Sequence, residues 1–163
     1  MIAVSTLGLA WCSNGGKRAP GKVEAPAPQP TRYANQITIG ELPSVLQRLK
    51  DGQMEYDFFG ICSSPVACIY FMQEDGKFYI DYEAIGADQL PYLDKIRQYA
   101  KEQVYRVADT TYGNTPIDFS EPAQAPVLSL RVDTDIDSIA KVGTRLMQTI
   151  FHNTDTTPYE IVP

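Results

Sequence analysis

Apolar and polar side chains alternate most cleanly over residues 55–83, and this stretch sets the expected frame of the protein. Over 77–83, Phe78, Ile80 and Tyr82 alternate with Lys77, Tyr79, Asp81 and Glu83, the period of a strand with one buried and one wet face. Residues 66–72 are apolar on both faces. That pattern predicts a central strand, shielded on its second side by a Pro-rich loop or a second subunit. Asp75-Gly76 supplies the tight hairpin between these two strands. Ser63-Ser64-Pro65 marks the preceding turn, because Pro65 has no N–H to give a ladder. A three-stranded meander is expected.

Around the meander the period changes. A short helix is predicted over 41–50, with Pro43 in its first turn, a stripe of Val45, Leu46 and Leu49, and Asp51-Gly52 at its end. A second spans 87–104, capped by Asp88, with Pro91 in its first turn and Leu93, Ile96 and Ala100 on one face. A strand over 105–111 closes at the turn 112–116, and a loop with Pro116, Pro122 and Pro126 leads to a strand over 127–132. The last helix, 134–151, is the best written: Thr134 or Asp135 caps it, and Ile136, Ile139, Ala140, Gly143, Leu146, Met147 and Ile150 keep helical spacing. Gly143 on that apolar face points to close approach to the sheet. The tail 159–163 is expected to add an edge strand. The order α-β-β-β-α-β-β-α predicts an α+β domain, a two-layer fold with a mostly antiparallel sheet and its helices on one face.

Charge divides the chain. Residues 1–36 carry Lys17, Arg18, Lys22 and Arg32 against Glu24 alone, and the remainder has ten basic and nineteen acidic residues. The N-terminal segment is rich in Pro, Gly and Ala and poor in large apolar side chains, which predicts a disordered basic extension over 1–36 and one α+β domain over 37–163. The acidic body repels phosphate backbones, so nucleic acid is excluded as a partner and basic proteins or peptides are favoured. Three cysteines are too few for a disulfide framework and fit a reducing, cytoplasmic setting. The alternative is an envelope protein whose apolar start is an export signal and whose Cys12 takes a lipid anchor. Trp11 before that cysteine and the lack of a preceding positive residue weigh against it.

Candidate chemistry is sparse. Asp133-Thr134-Asp135-Ile136-Asp137 resembles the start of a calcium loop, but Ser138 and Thr144 stand where glycine and glutamate are needed, so the acids read as a helix cap and no metal is expected. His152, the single histidine, has no partner written near it, which leaves neither a general base nor a cysteine nucleophile pair. Gly15-Gly16-Lys17 precedes no helix and is not a phosphate loop. No cofactor and no catalysis are expected. Cys62 and Cys68 read as buried thiols, with a cross-strand disulfide open to them if the loop holds an odd number of residues.

Tyrosine remains. Tyr56, Tyr70, Tyr79 and Tyr82 on the meander, followed by Tyr99, Tyr105 and Tyr112, are many for a chain of this size, and tyrosine is enriched at protein interfaces. Tyr79, Asp81 and Glu83 share the polar side of one strand. With Tyr70 and Tyr56 they form the expected binding surface for a basic protein. The element order over residues 37–153, in a small acidic chain, resembles that of type III secretion chaperones and the YbjN-like proteins related to them. The resemblance implies a non-enzymatic binder of other proteins, chaperone-like and open to homodimer formation. Small immunity proteins that neutralise secreted toxins are a second group similar in size and charge.

Overall fold

The structure, a computed structural model, describes residues 35–111 and 125–163. In chain order, β1 (Gln36–Ile37) passes through a 3-10 turn (Ile39–Glu41) into α1 (Leu42–Lys50). The meander follows as β2 (Phe58–Cys62), β3 (Cys68–Glu74) and β4 (Lys77–Glu83). After it come α2 (Leu90–Glu102), β5 (Arg106–Thr111), β6 (Pro126–Thr134), α3 (Ile136–Phe151) and β7 (Tyr159–Val162). The seven strands form one antiparallel sheet in the order β1-β7-β2-β3-β4-β6-β5, so the fold is α+β. The N-terminal extension as far as residue 34, with Cys12 and Gly15-Gly16-Lys17, lies outside the described residues, as do Tyr112, Pro116 and Pro122.

The meander forms as its pattern predicts, and β3 is the fourth of the seven strands. Asp75 and Gly76 both adopt positive φ, 51° and 75°, which a two-residue hairpin needs to match the strand twist. Phe59, Ile61, Ile69, Phe71, Phe78 and Ile80 point to one face and join a single core cluster with Leu42, Leu46, Leu146 and Met147 of the helices. Asp135 is the N-cap of α3, accepting from the Ser138 N–H at 2.8 Å. Gly143 does bring that helix close: a Cβ there would lie 2.5 Å from Cζ of Phe71. His152 stands one residue beyond the helix, at φ 57°, while the Asn153 N–H caps the Met147 carbonyl at 3.1 Å.

Two expectations need correction. The C-terminal strand is not at the edge. It lies between β1 and β2, where Ile37 pairs with Tyr159 and Ile61 with Ile161, and Tyr159 is fully buried. The two-residue β1 leaves only a short edge beyond it. Asp88 does not cap α2 either. Gln89 holds the N-cap position, accepts from the Gly86 N–H at 2.6 Å and donates to the Pro65 carbonyl at 2.9 Å. The carboxylate of Asp88 folds over Gly86 instead. Among the described residues no helix is long and apolar enough to cross a membrane.

Candidate functional site

Alternation along each strand places a second set of side chains on the face away from the core. The register arranges them in rows. At one end, Phe58, Met72, Tyr79, Arg131 and Arg106 are successive cross-strand neighbours. In the middle run Gly60, Tyr70, Asp81 and Ser129. At the other end Glu160 faces Cys62, Cys62 faces Cys68, and Glu83 faces Val127. All five residues expected to bind a partner belong to this face or its margin: Tyr56, exposed in the loop before β2, sets its ring tilted against that of Phe58, with centroids 5.5 Å apart.

The three acidic and aromatic positions of β4 have three different environments, so the face is not the uniformly wet, acidic surface that alternation suggests. Tyr79 lies under the guanidinium of Arg131, 3.9 Å from its ring centroid, and Arg131 also pairs with Glu74 at 3.3 Å. Arg106 stands opposite Arg131 on β5, so two guanidiniums as well as the Glu74 carboxylate lie at this end of the face. Asp81 is buried, accepting from the Ser129 hydroxyl at 2.5 Å between Tyr70 and β6. Burial raises the Asp81 carboxyl above its ordinary range, with the Ser129 hydrogen bond and Arg131 opposing. Glu83 is half-buried and pushed up to about 7, first by burial and then by the charge of Asp81. Among the described residues no cation offsets these two effects at Glu83.

Glu83 faces a cavity of about 550 Å³ at the end of the sheet where β2 and β3 turn. Cys62, Cys68 and Tyr70 line it from the middle strands, Glu160 and Val162 from β7, and Gln36 from β1. The ring of Tyr70 is laid down over Gly60, where a Cβ would come within 2.8 Å of Cε1, and it meets Val162 there. The loop 63–67 is fastened from three sides. The Tyr82 hydroxyl donates to the Val66 carbonyl at 3.0 Å, Gln89 holds the Pro65 carbonyl, and the Asn153 amide donates to Ser63 Oγ at 2.7 Å. The cavity rim is therefore built before any guest arrives.

Cys62 and Cys68 are joined by a disulfide, with Cα atoms 4.1 Å apart, rather than standing as separate buried thiols. The intervening loop has five residues, and the register sets the two cysteines directly opposite each other. Ser63 and Ala67 form the hydrogen-bonded pair next to them, so the disulfide spans a non-hydrogen-bonded pair, where Cβ atoms approach most closely. Closing so short a loop contributes about 2 kcal/mol. Urea unfolding should show that loss on adding a reductant, and a Cys62→Ser/Cys68→Ser variant should already be lowered and no longer respond to reductant.

Tyr82 and Tyr99, also expected as interface tyrosines, are buried on the core side, and His152 lines a separate depression between α2 and α3. Among the described residues no group of three metal-ligating side chains gathers. Glu160, Gln36 and the disulfide were missed as site components, although Glu160 alternates with Tyr159 and Ile161 and so had a readable face. No family model, no curated protein and no solved structure matches the chain.

Proposed function

We propose that the protein is a non-catalytic protein-binding domain, chaperone-like or toxin-neutralising, which holds a basic segment of another protein on the sheet face away from the core. The observation that carries this reading is Glu83, a half-buried carboxylate with no compensating cation, at the end of a face that also presents Tyr56, Phe58, Tyr70 and Met72. Aromatic and apolar groups beside an uncompensated charge are what a partner of opposite sign covers with gain. The basic contact is placed at the Glu83 and Glu160 end, where both carboxylates line one cavity.

The test compares partners captured from the producing cells by the wild type, by Glu83→Lys and by a distant control, Glu102→Lys, identified by mass spectrometry. Asp81 is unsuitable for charge reversal because a lysine there would be buried without a partner. Basic partners should be lost with Glu83→Lys, their capture falling at least about tenfold, and kept with the control. Equal capture by all three proteins would remove this surface from the reading.

The disulfide supports a second reading, a lipid-anchored envelope protein tethered through Cys12, because such bonds persist in oxidising compartments. Membrane fractionation of the wild type and Cys12→Ser decides it: the wild type should sediment with membranes and the variant should not.

A further inference from the structure

The cavity beside the disulfide is more selective than a generally acidic surface. Its two carboxylates come from opposite walls, Glu83 from β4 and Glu160 from β7, with β2 and β3 and the Cys62–Cys68 bond between them. Strands about 4.8 Å apart put the backbones of these two glutamates about 14 Å from each other across three gaps, and the two side chains reach into that span from either end. Between them lie the sulfurs and the Tyr70 side chain, and Ser63 and Ser64 line the rim. An ammonium is a compact point charge that pairs with one wall. A guanidinium is a planar fork with five donors on several sides, which stacks on flat surfaces and reaches acceptors in two directions.

We infer that this cavity is a pocket for an arginine side chain of the partner, with Glu83 and Glu160 as the acceptors on its two walls and Tyr70 and the disulfide as its floor. This rests on the protein-binding reading above and names the group that anchors the partner. The groups facing Glu83 are Asp81 on its own strand, Tyr70 of β3, Glu160 across the cavity, and Val127 of β6, which does not titrate. Among the described residues none of these is a cation, so an incoming guanidinium would favour the ionised form of Glu83.

The probes are three capped tripeptides, Gly-X-Gly with X as arginine, lysine or citrulline, titrated into the full-length oxidised protein and followed by backbone amide signals. The arginine peptide should shift the signals of Cys62, Cys68, Glu83 and Glu160 and bind at least about tenfold more tightly than the citrulline peptide, which has the same shape without the charge. The lysine peptide should fall between. Glu83→Gln should weaken the arginine peptide about tenfold, Glu160→Gln should weaken it as well, and affinity should fall as pH drops below about 7. Equal binding of arginine and citrulline peptides, or indifference to both glutamine variants, overturns the pocket. If a basic partner protein then still depends on Phe58, tested with Phe58→Ser, the protein-binding reading survives. If it depends on neither end of the face, both readings fall.

Discussion

Moving from about pH 5 to about pH 8 should lower the stability of the protein by about 1–2 kcal/mol, with Glu83 as the source and its half-exposed carboxyl discounted for solvent screening. The Glu83 carboxyl is raised from 4.5 to about 7 in the folded protein, chiefly by burial. Between those two values the folded state holds a proton that the unfolded chain has released. Stability therefore falls as pH rises through that window, the reverse of the usual behaviour of a paired carboxylate. Other groups do not mask the effect. Asp109, lowered by Arg97, and Asp135, lowered by the Ser138 N–H, act below the window, and the raised tyrosines act above it. Asp81 is shifted in the same direction as Glu83. Urea unfolding at the two pH values checks it. Glu83→Gln should flatten the curve and be the more stable protein at about pH 8, and an unchanged pH slope in that variant would assign the effect to another group. A stability cost at neutral pH, kept at a cavity wall, is what a group retained for binding rather than for folding would show.

How much of this could be read from the chain follows from which interactions are local. The meander was legible because its period is two and its hairpin carries Asp75-Gly76, a dipeptide whose left-handed preference is a property of the residues themselves. The last helix was legible because seven apolar positions and an Asp135 cap agree. The place of β7 was not, because strand order depends on pairing across more than a hundred residues, and nothing in its four residues names β1 and β2 as neighbours. The same limit governs the site. Alternation put Tyr79, Asp81 and Glu83 on one side of β4 correctly, but whether each is wet depends on the adjoining strand. Ser129 and Arg131 arrive from β6, forty-eight and fifty-two positions along from Asp81 and Tyr79, burying the first and covering the ring of the second. Arg131 was visible as the polar partner of Leu130, yet its position over Tyr79 requires the register. The disulfide follows from the β2–β3 register, which is known only once both strand ends are fixed.

Gly143→Ala should destabilise the protein by about 1–3 kcal/mol, although an alanine in an exposed helix would gain about 1 kcal/mol over glycine. The added methyl would sit 2.5 Å from Cζ and 3.0 Å from Cε1 of Phe71, closer than atoms pack. Phe71 has little room to yield. It is fully buried on the central strand and stacked on Phe59 with centroids 5.3 Å apart, and Leu42 of α1 closes the same contact at 3.5 Å. Relief must come from moving α3 off the sheet or turning the ring out of its rotamer, and both loosen the core where α1, α3 and β3 meet. The coupling can be isolated. Phe71→Ala alone should lose about 3–5 kcal/mol by leaving a cavity, whereas Phe71→Leu shortens the side chain where the methyl intrudes. Combining Gly143→Ala with Phe71→Leu should therefore destabilise by less than the sum of the two single changes, by about 1 kcal/mol in a double-mutant cycle read from chemical unfolding. Strict additivity would mean that the two residues do not share the contact. The glycine would then owe its place to the helix alone, where its low propensity gives it no advantage.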